Sequence, residues 1–117
     1  MLQAEKLVQC RIQGALKAWG YLSVHIPNRG LWNPRQRRYN FVNDPYFVKG
    51  IPDLVVLLPE ARVLWIEVKA EDGRRSPAQE RVAAELVERG HSYLLARSVK
   101  EVMWWLRDHN YRFGECA

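Results

Sequence analysis

Cysteine is scarce in this sequence: only Cys10 and Cys116 occur among its 117 residues. They lie near opposite ends of the chain, and no cluster of cysteine and histidine has the spacing of zinc ligands, which argues against a structural zinc site. The sequence is compatible with a disulfide bridge between the two ends, although free thiols in a reducing cytosol are the simpler interpretation.

Long apolar runs are also lacking. The longest, residues 54–59, is far too short to cross a bilayer, and residues 1–13 carry charges and glutamines where a signal peptide would be apolar. We therefore expect a cytoplasmic protein that does not span a membrane. A chain of 117 residues is long enough for one core and too short for two ordinary domains, so residues 1–117 are predicted to form a single domain.

Acidic residues are outnumbered by basic ones. The chain has 18 Lys and Arg against 13 Asp and Glu, a net charge of +5, and arginines cluster between residues 29 and 49. A basic chain with clustered arginines favours a polyanionic partner, of which nucleic acid is the commonest. Charge alone is equally compatible with an ordinary soluble basic protein.

Apolar spacing and stop signals divide the chain into helices and strands. They predict helices at 2–19, 76–89 and from 98, and strands at 21–26, 53–58, 62–69 and 92–96. Residues 27–52 show no sustained period and are expected to be a long loop. Neither central strand alternates apolar with polar residues, which indicates a sheet covered on both faces. The order α-β-β-β-α-β-α predicts an α/β domain with a mixed four-stranded sheet flanked by helices.

Two acidic residues fall at the open end of the predicted central hairpin. A turn centred on Glu60 would place Asp53 opposite Glu67, and Lys69, two residues further on, would share their face. Opposed like charges are destabilising, and a hard divalent cation such as Mg²⁺ would resolve the conflict. The backbone carbonyl of Val68 is a possible further ligand. A one-residue shift of the turn would break the arrangement.

This arrangement of side chains suits phosphodiester hydrolysis. A bound divalent cation lowers the pKa of its water, and Lys69 could position that nucleophile or stabilise charge on the phosphate oxygens. The alternative is that Asp53 and Glu67 are ordinary strand-end residues and that Glu67 and Lys69 form a solvated ion pair.

Three segments together resemble a known family: GIPDL at 50–54, IEVK at 66–69 and SPAQ at 76–79. They are similar to the VRR-NUC domain of the PD-(D/E)xK nuclease superfamily, over about residues 20–108. The resemblance implies a restriction-endonuclease-like core. Small stand-alone members from phages and bacteria are divalent-metal-dependent DNA endonucleases, associated with branched or Holliday-junction substrates, that tend to be homodimers.

The resemblance also assigns roles to residues of this chain. Asp53 and Glu67 would bind Mg²⁺ or Mn²⁺, Lys69 would be the catalytic lysine, and Gln79 would support the site. Glu5, the only acidic residue on the first predicted helix, would reach the metal as well. Each has a plainer alternative, since Gln79 could simply cap its helix and Glu5 could be a solvated helix charge.

A set of basic side chains is expected to contact DNA phosphates, independently of base sequence and with strong salt dependence. Its members are Arg29, Arg35, Arg37, Arg38, Lys49, Arg74 and Arg75. Any one of them could be an ordinary solvent-exposed charge.

The leading interpretation is a Mg²⁺- or Mn²⁺-dependent DNA endonuclease, acting as a homodimer on branched or duplex DNA. Two alternatives stay open. One is a nucleic-acid-binding module that keeps the fold without the chemistry. The other is a nuclease subunit that is active only with a partner such as a helicase.

Overall fold

The computed structural model of the chain describes residues 3–27, 31–40 and 45–113. Helices and strands in these ranges are, in chain order, α1 (Gln3–Ala18), β1 (Leu22–His25), β2 (Leu31–Asn33), β3 (Arg38–Asn40), β4 (Leu54–Leu58), β5 (Arg62–Val68), α2 (Pro77–Glu88), β6 (Ser92–Ala96) and α3 (Val99–Asp108).

The main sheet has four strands in the order β1-β4-β5-β6. The first two pairings are antiparallel and β5 pairs with β6 in parallel, so the sheet is mixed. Helix α2 provides the crossover that a parallel pair requires. This confirms the predicted α/β domain and its order of elements.

Residues 27–52 are not wholly irregular, contrary to the prediction of a loop. Strands β2 and β3 pair as a separate antiparallel hairpin, closed by a turn over residues 34–37 in which Arg37 has a φ of 51°. Strands of three residues are too short to establish a period of two, which explains why the sequence pattern did not reveal them.

The hydrophobic core lies between one face of the sheet and helices α1 and α3. Ile12 and Leu16 of α1 and Val102 and Leu106 of α3 are fully buried. From the sheet, alternate residues of β4 and β5 point into this core, among them Ile66. Helix α1 ends at Ala18, and the predicted stop residue Gly20 follows it with a φ of 91°, which suits a residue without a Cβ.

The opposite face of the sheet is only partly covered. Helix α2 packs there against β6, while Leu22, Val24 and Leu57 on β1 and β4 are 64%, 46% and 45% exposed. The expectation that both faces are covered is therefore wrong at β1 and β4. An apolar run along a strand indicates affinity for apolar neighbours, but it does not say whether the same chain supplies them.

No helix within the described ranges is both long and apolar enough to cross a bilayer. Cys10 is exposed on α1, and Cys116 lies outside the described residues. The bridge between the two cysteines therefore stays an open alternative.

Candidate active site

The register of the β4–β5 hairpin places two carboxylates side by side. Leu54 pairs with Ile66 and Leu58 with Arg62, so the same register, continued by one residue, sets Asp53 opposite Glu67. Glu60 is at the centre of the turn, with a φ of 63°. The predicted register is thus confirmed.

Asp53 is fixed to the neighbouring strand. Its side chain is 6% exposed, and its Oδ2 accepts a hydrogen bond of 2.8 Å from the backbone N–H of Val68. The backbone N–H of Lys69 donates in turn to the carbonyl of Ala96 on β6. Pairing on both sides of β5 therefore holds this end of the sheet, which gives the acidic and basic side chains a defined position.

Glu67 is more deeply buried than Asp53, at 1% exposure. Burial is the main reason that its pKa rises from 4.5 to about 9, and a side-chain hydrogen bond with Asp53 and the charge of Asp53 raise it further, while Lys69 opposes the shift. Among the described residues, its Oε1 has no hydrogen-bond partner. A buried carboxylate with an unused oxygen next to a second carboxylate suits a hard cation, which takes oxygen ligands.

Lys69 forms an ion pair with helix α1. Its Nζ lies 3.9 Å from Oε1 of Glu5 on α1, and both side chains are largely buried. Within the part of the chain that the structure describes, no three His, Cys, Asp or Glu side chains gather as a metal cluster. Glu5 is paired with Lys69, and its charge also raises the pKa of Glu67. Its contact with a metal stays a prediction.

Gln79 both caps its helix and contacts Glu67. Its N–H donates to Oγ of Ser76 at 3.2 Å, and its Oε1 accepts from the N–H of Ser76 at 2.8 Å, which completes a capping box. Its Nε2 donates to Oε2 of Glu67 at 3.3 Å. The two interpretations of Gln79 are therefore compatible, since the cap holds the carboxamide against the carboxylate.

Gly50 brings the segment before Asp53 into contact with the first turn of α2. Its φ is +92°, and a Cβ there would lie 2.5 Å from the backbone carbon of Ala78 and 2.8 Å from the nitrogen of Gln79. Only glycine allows this approach without displacement. Two of the three sequence segments, GIPDL and SPAQ, thus meet directly beside the acidic pair.

Sequence reasoning missed Arg97, which immediately follows β6. Its Nη1 donates to the carbonyls of Ala70 at 2.8 Å and Gly73 at 2.6 Å, fixing the turn after Lys69. A Cβ at Gly73 would lie 3.3 Å from Oε1 of Glu5. No sequence motif marks Arg97, because its partners are backbone carbonyls more than twenty residues away.

The basic residues proposed for DNA contact occupy different surroundings. Arg35, Arg37, Lys49 and Arg74 are exposed, whereas Arg75 is half-buried. Lys49 adjoins Gly50, and Arg74 and Arg75 precede the cap of α2, so these three lie on segments next to the acidic pair. Arg29 and the side chain of Arg38 lie outside the described residues.

Comparison with known proteins finds similarity to the VRR-NUC family. The family model of the VRR-NUC domain matches residues 45–100. A solved structure described as a VRR_NUC domain is 26% identical and has a TM-score of 0.64, and the match covers 94% of this chain and 100% of that one. A second solved structure, a VRR_NUC domain protein, is 19% identical and has a TM-score of 0.61. The match covers 89% of this chain and 85% of that one, and it shows the fold alone. None of the curated proteins matches significantly.

Proposed function

From the match of residues 45–100 to the VRR-NUC family model and the similarity to a solved VRR_NUC domain, we propose that this chain is a divalent-metal-dependent DNA endonuclease. The observation that carries the proposal is the buried pair of Asp53 and Glu67 beside Lys69. Burying two neighbouring carboxylates is costly unless a positive charge compensates them. The costly pair lies at the position that the family resemblance predicts for the active site, in a fold of the nuclease type. This favours a catalytic role over a purely structural one.

The residues present fit Mg²⁺ or Mn²⁺. Asp53 and Glu67 would hold the ion with carboxylate oxygens, and the carbonyl of Val68 is a third proposed ligand. The bound ion would activate water and offset the charge of the phosphate. Asp53 is kept in place by the N–H of Val68, and Gln79 orients Glu67.

Lys69 acts on the substrate in this proposal. Hydrolysis adds water to the phosphodiester: a new P–O bond forms, one P–O ester bond breaks, and the departing oxygen takes up a proton. The charge of Lys69 acts on Glu67, and its ammonium can donate hydrogen bonds to the phosphate oxygens as negative charge builds on them. Glu5, 3.9 Å away, holds the lysine in position.

Cleavage is expected to require both the metal and Lys69. EDTA should abolish cleavage, and Lys69→Ala should slow it by about 10²–10³-fold, the cost of losing one positioned electrostatic donor. The measurement is single-turnover cleavage of duplex, single-stranded, flap and four-way-junction DNA with Mg²⁺ and with Mn²⁺. Branched DNA is the proposed preference, on the basis of the family resemblance.

The matched control is Lys17→Ala, which removes an exposed lysine from the far end of α1 and should cleave like the wild type. Full activity in EDTA, or in a folded Lys69→Ala variant, would contradict the mechanism. DNA binding by the wild type without cleavage of any substrate would favour the non-catalytic binding module or a subunit that needs a partner.

We further propose that the protein is a homodimer, as the resemblance implies. Leu22, Val24 and Leu57 form an exposed apolar patch, here called the open sheet face, in which Leu22 pairs directly with Leu57. Contiguous exposed apolar residues mark interaction surfaces more often than isolated ones do.

Leu57→Lys is expected to shift the protein from dimer to monomer, because a lysine on the open sheet face would be buried without a partner charge. Sedimentation velocity measures the change. Val87→Lys, which replaces a 58% exposed valine on α2, is the control and should remain dimeric. A monomeric wild type would refute the dimer, and a dimeric Leu57→Lys would place the interface elsewhere.

A further inference from the structure

Arg74 and Arg75 are adjacent in the chain but differ in their surroundings. Arg74 is exposed. Arg75 is half-buried, and its guanidinium carbon lies 5.9 Å from the centre of the Tyr93 ring. That separation is within the range of a cation–π contact. One of the two arginines is therefore held against the protein surface, and the other is solvated.

Tyr93 lies on the same face of the sheet as the acidic pair. It pairs with Trp65 in the parallel β5–β6 ladder, where Glu67 pairs with Leu95. Side chains two residues apart on a strand share a face, so Trp65 and Glu67 point the same way and Tyr93 lies beside them. Burial raises the pKa of Tyr93, the charges of Glu67 and Asp53 raise it further, and Arg75 opposes them. The phenol therefore interacts electrostatically with both carboxylates.

The backbone of Arg75 is also tied to the site. The next residue, Ser76, donates its N–H to Gln79, and Gln79 donates to Glu67. A chain of two hydrogen bonds therefore joins the residue after Arg75 to the acidic pair. With its backbone fixed by the cap of α2 and its guanidinium placed on Tyr93, Arg75 has little freedom of position.

We propose that Arg75, positioned by the ring of Tyr93, contacts the phosphate being cleaved, whereas Arg74 contacts the DNA backbone from solvent. The inference rests on the proposed nuclease function and assigns a role within it. A guanidinium presents two parallel N–H groups that match two phosphate oxygens. A cation already held on Tyr93, on the face of the sheet that carries the acidic pair, needs little reorganisation when charge develops on the phosphate, which makes it effective in the transition state.

A purely structural Arg75 would behave differently. If it only covered Tyr93, its loss would lower the melting temperature and leave the cleavage rate of bound DNA unchanged. The two roles are separated by measuring the rate at saturating protein, which reports the step after binding, and the protein concentration for half-maximal rate, which reports affinity.

The test is single-turnover cleavage of the substrate that the wild type cleaves best, with circular dichroism and thermal unfolding for every variant. Arg75→Ala is expected to lower the saturating rate about 100-fold. Arg74→Ala should mainly raise the protein concentration for half-maximal rate. It should also reduce the slope of log affinity against log salt concentration by about 1, the value for one lost phosphate contact. Arg75→Lys keeps the charge but lacks the planar fork, so its rate should lie between those of Arg75→Ala and the wild type.

Tyr93 provides the second arm. Tyr93→Leu, which removes the ring, should lower the saturating rate, and Tyr93→Phe, which keeps it, should recover most of that loss. Arg81→Ala on the exposed side of α2 is the neutral control. Equal effects of Arg74→Ala and Arg75→Ala on both parameters would overturn this inference and leave the proposed nuclease intact. If the wild type cleaves no DNA with either metal, the proposed function fails, and this inference fails with it.

Discussion

Replacing Glu67 by glutamine is expected to abolish DNA cleavage and, in metal-free protein, to raise the free energy of unfolding at pH 8. The two effects have one cause. Glu67 is buried beside Asp53, and its pKa is raised to about 9, so ionising it in the folded protein is unfavourable. Glutamine keeps the shape and removes the ionisable group, which relieves the cost but also removes a proposed metal ligand.

The sign of the pH dependence follows from linkage. The unfolded carboxyl has a pKa of 4.5 and the folded one about 9, so between these values the folded state holds a proton that the unfolded state has lost. The free energy of unfolding therefore falls as the pH rises through this window. The stabilising contribution of Glu67 is fully present below about pH 4.5 and is lost by about pH 9.

Urea denaturation of metal-free protein between pH 5 and 9 checks this expectation. The wild type should lose on the order of a few kcal/mol across the range, and Glu67→Gln should lose much less. Added Mn²⁺ should stabilise the wild type and leave Glu67→Gln unchanged, because a ligand stabilises only the state that binds it. Glu88→Gln, an exposed change on α2, is the control. A Glu67→Gln variant that cleaves DNA, or has the wild-type pH slope, would contradict the assignment.

Substituting Gly50 by alanine is expected to have the second large effect, on stability and on the site together. At a φ of +92° an added Cβ is strained, at a cost of roughly 1–2 kcal/mol. It would also lie 2.5 Å from the backbone of Ala78, so the first turn of α2 has to move. Because Gln79 is on that turn, its hydrogen bond to Glu67 should be lost with the movement.

Gly90 supplies a matched control for the strain alone. Its φ is +86°, but no described atom lies within 4 Å of the position that a Cβ would take. Gly90→Ala should therefore show the conformational cost without displacing α2. We expect Gly50→Ala to be the less stable variant and to lose most of its cleavage activity, as measured by denaturation and single-turnover cleavage. Equal destabilisation of Gly50→Ala and Gly90→Ala would mean that the close contact between Gly50 and α2 adds nothing to the cost of the substitution.

The sequence alone determined the features that depend on neighbours along the chain. A turn centred on Glu60 predicted the hairpin register, and hence the pairing of Asp53 with Glu67, because strand residues alternate with a fixed period and a short turn allows few registers. Ser76 and Pro77 predicted the start of α2, since a helix N-terminus is satisfied by side chains within three residues. The acidic pair and the order of elements follow from such local rules.

The short β2–β3 hairpin and the open sheet face were not predictable in this way. Three-residue strands are too short to show an alternation of apolar and polar residues. The apolar composition of β1 and β4 does not indicate which part of the protein, or which partner, covers them. The sequence also could not choose between capping and site support for Gln79. In the structure the cap directs the carboxamide towards Glu67, so the two interpretations are compatible.

The contacts that position the acidic pair were decided by tertiary structure alone. Glu5 on α1 pairs with Lys69, Gly50 touches α2, and Arg97 holds the turn that follows Lys69. These partners are separated by more than twenty residues along the chain, so no spacing rule relates them. The sequence determined which acidic groups lie opposite each other, through periodicity and turn geometry. Only the packing of helices on both faces of the sheet decided which distant residues hold those groups, because side-chain approach between elements depends on how the whole core fills space.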